Sequence, residues 1–506
     1  MLDAASRFPM TGKSASREHS EGSPAAPSNG AAPERRRYAA FSKITAVLVA
    51  AFGVVNLATA PDLTVFMAFI FASAAIYVFP RLEPDPLICF VVVHPSFMYV
   101  LTTSITATTK INFGLEGLQD KAVAFSIVQI YQSAIILAYL TYFLMFGRGK
   151  LATTGRISSP RKTMALAAVF FVLYASIAVL PGLDRLGSFS PLVLASSCYF
   201  LVSSVKVGSR QSLTFFIVVV LTAAIAAVGN ARTPLFLALL IWFIFLLFGS
   251  RSLLRPKLIV GGLLGIFAIN LITYSFISVR ADRENLDNSE ILTATLETAF
   301  SAEGLYNAIP FGQEPSVATD SSRASRYYSP FLRGGTDTED NSVLGRLTLI
   351  AHMDIVTARV GFVSTINWPA LQNSFTAALP SIGQEKNLLF ADEVVWDLGL
   401  RDRRVVGYPL ITPAGELFVM GGLSVLFFAA YGSFLLLLIE LRILRNMVSY
   451  GYPYVATGIV VIFGVTTTGT ALALFGVVVR NMPMLLVLIA LVRPFVLSPR
   501  QPSAAT

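Results

Sequence analysis

Charge, cysteine and histidine are all scarce in this 506-residue chain, and each scarcity excludes something. Only 13% of residues are Asp, Glu, Lys or Arg and 55% are hydrophobic, whereas a soluble domain carries roughly a quarter charged residues. Apolar runs this long and this evenly spread have nowhere to go but lipid. The two cysteines, Cys89 and Cys198, both lie inside apolar runs, which argues against a disulfide framework and against a thiolate metal centre. The three histidines, His19, His94 and His352, form no cluster with carboxylates at metal-ligand spacing. The expected chemistry therefore needs no cofactor and no resident metal, or uses a metal brought with the substrate. A net charge of +9 would suit a nucleic-acid partner, but the basic residues punctuate apolar segments and form no basic domain. The expected partner is the lipid bilayer, with no nucleic acid.

What is present is a succession of apolar helices. The fold class expected is an all-α polytopic integral membrane protein with about twelve transmembrane helices and one large, partly helical outer loop. Spans are read at Ile44–Ala60, Leu63–Phe79, Leu87–Ser104, Ala122–Phe146, Thr163–Leu180, Phe189–Val205, Ser212–Val228, Pro234–Phe248, Lys257–Ser278, Leu417–Ile439, Tyr454–Val479 and Met482–Leu497. The Ser-, Ala-, Pro- and Gly-rich residues 1–40 read as a disordered cytoplasmic tail, too long and polar for the start of a cleaved signal peptide. Residues 41–278 then hold nine helices, 279–412 the loop, 413–498 three more helices and 499–506 a short tail.

Basic residues test the alternation. With the N-terminus in the cytoplasm, inner segments carry nineteen Lys or Arg, while the short outer turns hold only Lys110, Lys121, Arg185, Arg232 and Arg480. That asymmetry follows the positive-inside rule and places both termini in the cytoplasm. The loop is different in kind, with 17 of the chain's 29 acidic residues. Topology puts it outside, in the periplasm of a double-membrane bacterium, and the chain in the inner membrane. Long ordered loops are usually functional. The near absence of charge in the middle of the spans argues against ion-coupled transport.

Several residues are candidates for chemistry. Arg232 lies in a tight outer turn between Gly229 and Pro234, where its guanidinium either snorkels to headgroups or grips a lipid-linked phosphate. Arg280 follows the ninth helix directly and is placed to share that role; Arg283 beside it reads as self-paired with Asp282 and Glu284. Residues Ser342–Gly361 read as a helix capped by Asp340, Asn341 or Ser342. Its apolar positions are too spread to make one stripe, but His352 and Arg359, seven apart, share a face. A neutral imidazole beside a guanidinium is a workable general base with an anion clamp; a surface His and an Arg paired with Asp354 is the plainer alternative. Arg346 on the same predicted helix joins the diphosphate-binding candidates. From Trp368-Pro369 to Pro380 a semi-apolar helix is expected to lie on the membrane surface, near aromatic-belt depth. The mixed-charge tract 392–404 reads as a solvated loop in which Arg404 is available to a diphosphate. Glu416 opens the tenth helix, as a partner of its dipole or as a substrate-facing carboxylate.

With these residues in view, the chain resembles the oligosaccharide repeat-unit polymerases, the O-antigen polymerase (Wzy) group. The likeness rests on the overall plan and on three short elements: Gly229-Asn230-Ala231-Arg232, Leu379-Pro380-Ser381-Ile382 with Lys386, and Gly415-Glu416-Leu417-Phe418-Val419-Met420-Gly421-Gly422. Ser381 stands where that group often has Arg, Asn387 where Pro follows the Lys, and Met420-Gly421 alter its Asn-Phe-Gly. The resemblance implies a metal-independent glycosyl transfer in which a polyprenyl-diphosphate-linked glycan is passed to a new lipid-linked repeat unit. Of the matched elements it carries over Arg232 and Glu416, with Lys386 weaker; the residues available to the reaction are then His352 or Glu416 as catalytic base, Arg232, Arg280, Arg346 and Arg359 on the diphosphate, and Lys386 and Arg404 as weaker candidates. A chain-length regulator is a further implied partner. An O-antigen ligase and a lipid-linked-oligosaccharide flippase remain the alternatives.

Overall fold

The computed structural model describes residues 31–147, 160–180, 288–307, 348–361, 365–379, 390–400, 411–447 and 470–496, with a few single positions between them. Everything described is helical or connects helices. In chain order the helices are α1 (Ala31–Thr59), α2 (Leu63–Leu82), α3 (Pro86–Thr109), α4 (Lys121–Phe146) and α5 (Pro160–Val179). The loop region contributes α6 (Asn288–Phe300), α7 (Ala302–Asn307), α8 (Leu349–Val360), α9 (Trp368–Ala378) and α10 (Phe390–Asp397). Then come α11 (Pro413–Met447) and α12, the latter built from Ala471–Gly476, a π-helical turn Val477–Asn481 and Met482–Val496. Among the described residues six helices are long and apolar enough to cross a membrane: α1 to α4, α11 and α12. The protein is thus an α-helical membrane protein; most of the sixth to ninth expected spans lie outside the described residues.

Helix starts follow the sequence. Asp62, Asp85 and Asp120 cap α2, α3 and α4 through their carboxylates, which accept from the first free amides. α3 crosses as one span with an internal π-helical turn, Ser96–Leu101. Pro95 has no N–H for the Val91 carbonyl, and His94 Nδ1 lies 2.6 Å from that oxygen instead. Ser96 N and Oγ both donate to Gln132 Oε1 of α4, at 3.1 and 2.9 Å, while Gln132 Nε2 donates to Val92 O at 2.6 Å. One amide side chain therefore bridges the gap in the ladder. His94 itself is a core residue, with its ring among Tyr131 and Phe434.

α4 and α11 form the centre and run in the same direction. The Tyr431 hydroxyl donates to Thr141 Oγ1 at 3.1 Å, and the Arg442 guanidinium stacks 4.7 Å from the Phe146 ring centre. Beside Phe146, at the end remote from α8–α10, the ends of α2, α3, α4 and α11 are tied by buried charge. Arg445 Nη1 lies 3.4 Å from Asp85 Oδ2, with the two side chains 3% and 0% exposed. Asp85 Oδ1 also accepts from Leu87 N and Ile88 N. Glu83 accepts from Asp85 N through Oε1 and from the Tyr139 hydroxyl through Oε2. Burial holds the Glu83 carboxyl above its ordinary value, the two hydrogen bonds pulling the other way.

Four sequence expectations change. The backbone of residues 31–40 is helical, part of α1, where a tail was expected. The tenth span does not end at Ile439 but runs to Met447, so Arg442 and Arg445 belong to the helix and not to an inner loop. It is also broken, with Gly421 at φ 174° and Gly422 at φ +67°. The eleventh and twelfth spans were divided at Arg480-Asn481, a charge and an Asn ahead of Pro483. The chain is helical straight through that point; the wider π-turn accommodates the proline's missing N–H. Arg480 is therefore no outer-turn residue but lies about 13 Å along α12. Arg480 is thus a charge well inside a span, whereas Glu416 and Arg445 stand within three residues of the two ends of α11.

Arg445→Ala should leave Asp85 buried without its cation and cost about 3–5 kcal/mol. Thermal unfolding of the detergent-purified protein checks this. The exchange Asp85→Arg with Arg445→Asp should recover part of the loss, and equal melting of Arg445→Ala and the parent would show that the pair contributes nothing.

Candidate functional site

At the other end of the bundle the loop helices sink between the spans. α8 is buried over Leu349–Thr357. One side of it, with Leu349, Ile350 and Met353, joins the core of α3, α4 and α11, and the other, with Ile355 and Val356, packs on Ala391, Val394 and Val395 of α10. Burial on two sides explains why its apolar positions do not define one stripe. The helix starts at Leu349, not at Ser342; residues 341–347 lie outside the described residues.

Three anchors hold α8. Thr348 and Thr106 of α3 share a hydrogen bond of 2.6 Å between hydroxyls. Asp354 accepts from the backbone of the α3–α4 connection, Oδ2 from Gln119 N at 2.5 Å and Oδ1 from Asp120 N at 2.9 Å. Met353 fills the space above Gly415, where an added Cβ would stand 2.8 Å from Met353 Cγ. Asp354 is thus engaged with main-chain amides and is not the partner of Arg359. Burial keeps its carboxyl above the ordinary 3.8, and the two amides offset part of that rise.

The first turns of α11 are the most constrained part of the site. Thr412 adopts φ +73°, a left-handed conformation that costs a non-glycine residue of order 1–3 kcal/mol. Its Oγ1 accepts from Gly415 N at 3.2 Å, and the Tyr99 hydroxyl, from the π-turn of α3, is hydrogen-bonded to Thr412 and Ala414. Glu416 is 1% exposed. Its Oε2 accepts from Ala471 N at 2.7 Å, at the start of α12, where Thr470 Oγ1 receives Ala473 N. The carboxylate therefore serves the N-terminus of α12 and not that of its own helix. At Met420 the half-helix ends, and its carbonyl accepts from Asn367 N at 2.7 Å. The chain passes so close that a Cβ on Gly422 would lie 2.4 Å from Val363 O.

His352 is buried, 6% exposed, in the part of α8 that adjoins this half-helix, and Asp392 of α10, 1% exposed, is within electrostatic range of Glu416. His352, Glu416 and Asp392 thus belong to adjoining elements. Arg359 is not brought to them: it is exposed, at the solvent end of α8. The mixed-charge tract is divided likewise, since Asp397 and Arg403 form an exposed pair at 3.2 Å, of little energetic consequence. Arg232, Arg280, Arg346, Lys386 and Arg404 lie outside the described residues. Among the described residues no three His, Cys, Asp or Glu side chains converge as a metal-binding set. Sequence reasoning missed Tyr99 and Asn367, read Asp354 only as a partner of Arg359, and read Asp392 as part of a solvated loop although it is buried in α10. Two of the site's supports had a local signal, Thr412 ahead of Pro413 and Asn367 two residues ahead of Pro369, each a cap residue before a proline suited to the first helical turn.

Asp354→Asn replaces one acceptor oxygen by a donor facing a backbone N–H and should cost about 1.5–3 kcal/mol. Because the folded carboxyl lies above 3.8, the folded state binds the proton more tightly than the unfolded. Asp354 thus loses stabilising effect as pH rises from that value through its folded pKa. The penalty of Asp354→Asn should therefore be largest at the acid end and narrow as pH rises, in paired melting curves. A penalty that widens with pH would mean that the amides outweigh burial.

Compared with protein-family models, with curated proteins and with solved structures, the chain matches none.

Proposed function

We propose that the chain polymerises polyprenyl-diphosphate-linked oligosaccharide repeat units at the outer face of a bacterial inner membrane. The observation that carries this reading is the lodging of α8, with its buried His352, against the Glu416 half-helix at the boundary between the spans and the loop helices. A substrate whose tail is lipid and whose reacting sugar is hydrophilic has to be met at that boundary. In the reaction, a hydroxyl oxygen of the acceptor sugar attacks the anomeric carbon of the donor. The bond from that carbon to the diphosphate oxygen breaks, and the lipid diphosphate leaves with the electron pair. His352 takes the hydroxyl proton. Glu416, held on the amide of Ala471, positions the half-helix. Arg232, Arg280 and Arg346, with Arg359 at the solvent end of α8, neutralise the charge that grows on the leaving group.

The alternatives differ in what the cell accumulates. Ligation to a lipid core uses the same bond chemistry, and flipping uses none; a flippase would need polar residues lining a path through the spans, and Glu416 and Arg445 are instead engaged near the ends of α11. Deleting the gene should leave single repeat units attached to their acceptor. Loss of all attachment would assign the ligase instead, and lipid-linked units stranded on the cytoplasmic face would assign the flippase.

With the purified chain in vesicles and lipid-linked repeat units supplied, His352→Ala should slow chain growth by roughly 10²–10⁴. Arg232→Lys, which keeps charge but loses the fork, should slow it by roughly 10²–10³. Arg251→Lys should be near neutral, since the inner face needs only positive charge. Normal polymer from both Arg232→Lys and Arg232→Ala at normal protein level would make Arg232 a headgroup anchor.

A further inference from the structure

α9 has three faces, and only one of them is explained by the bundle. Ala370, Ser374 and Ala378, four apart, are buried at 7%, 7% and 0% exposure and press against α11 and α12. Small residues at this spacing let a helix approach its neighbours closely. Gln372, Asn373 and Thr376 make an exposed polar arc. Between the two arcs, Trp368, Phe375 and Leu379 are 64%, 45% and 40% exposed, with half-buried Leu371 beside them. At about 100° per residue these four occupy one sector of the helix. A helix in water would not turn its largest apolar residues outward and its smallest inward.

The depth of α9 supplies the reason. Asn367, its N-cap, donates its backbone N–H to Met420, a residue about 10 Å along α11 from Pro413. The Phe375 ring lies 5.8 Å from that of Phe475, about 6 Å along α12 from Ala471. α9 is therefore set below the ends of two apolar spans by the same roughly 5–10 Å to which interfacial helices bury their apolar faces. It packs on both of these spans, whose own apolar surface requires lipid.

We propose that α9 is a membrane-interface helix whose Trp368, Leu371, Phe375 and Leu379 sector lies in the acyl region of the bilayer that surrounds α11 and α12, with Gln372, Asn373 and Thr376 in the headgroup water. The occupant is bulk lipid hydrocarbon, because the sector adjoins spans that themselves require it. The small-residue face then fixes α9 to the site, so that the Asn367–Met420 contact and the Glu416 half-helix are held at headgroup level whatever reaction the site performs.

The test uses the full chain in phosphatidylcholine vesicles, with Cys89→Ala and Cys198→Ala and a nitroxide attached to either Trp368→Cys or Asn373→Cys. The label at 368 should collide several-fold more with oxygen than with a water-soluble nickel chelate, and the label at 373 the reverse. Nickel reaching both labels alike would place α9 in water, and oxygen alone reaching both would bury the whole helix in lipid; either overturns the assignment. If the cysteine-free chain does not insert, Trp368 fluorescence in Trp242→Phe, Trp396→Phe protein answers the same question. Lipids brominated just below the headgroup should quench it strongly, and undiminished emission overturns the proposal. Neither readout depends on catalysis, so failure here and failure of the polymerase reading are separate results.

Discussion

Inside a bilayer no water is available to take up a carbonyl or amide that a helix has let go, so every interruption must be closed by another part of the protein. This chain interrupts its spans at Pro95, at Gly421-Gly422 and within α12, and the two closures that involve α3 and α11 organise much of what surrounds them. Gln132 closes the first, fixing α3 to α4. Asn367 closes the second, drawing the start of α9 into the bundle. The π-turn of α3 in turn carries Tyr99 to Thr412, so one departure from regular helix supports the strained residue that opens the next. The candidate site is assembled from these repairs and not from a free-standing loop domain.

Glu416 belongs to the same logic. A carboxylate in an apolar setting is costly unless donors surround it, and the free amide at the head of α12 is such a donor. The bond makes α11 and α12 mutually dependent at this end, as Asp85 and Arg445 make α3 and α11 at the other. α11 is held at both ends and broken between them, and the broken portion is the part that meets α8.

Long apolar runs announced α2 to α4 within about five residues, and the apolar part of α1 but not its start, because nothing but a span consumes about twenty apolar residues in succession. Less legible was anything that depends on partners distant in sequence. Arg480-Asn481 carries the composition of a turn, and only the π-turn, a matter of backbone geometry, shows that the helix continues. Asp354 looks like a surface carboxylate on a predicted helix until two amides from residues 234 and 235 positions away are placed against it. His352 and Arg359 share a face by periodicity, yet one is buried and the other exposed, a difference that periodicity along one helix does not contain. Glu416 was singled out for its position at a helix start; the helix it serves proved to be a different one.

The Glu416–Ala471 bond also bears on how the protein is made. Its two members are 55 residues apart, and a ribosome adding about 5–20 residues each second delivers Ala471 several seconds after Glu416 has left it. During that interval the half-helix that carries Glu416 has its carboxylate and no amide to receive it. The site therefore cannot settle as its own residues emerge; it waits for α12 to thread into the membrane. Any factor that shelters a nascent polar segment beside the insertion machinery would find its substrate in this stretch of chain, and a stalled or shortened product would carry every candidate residue of α8 and α11 and still lack the assembled site.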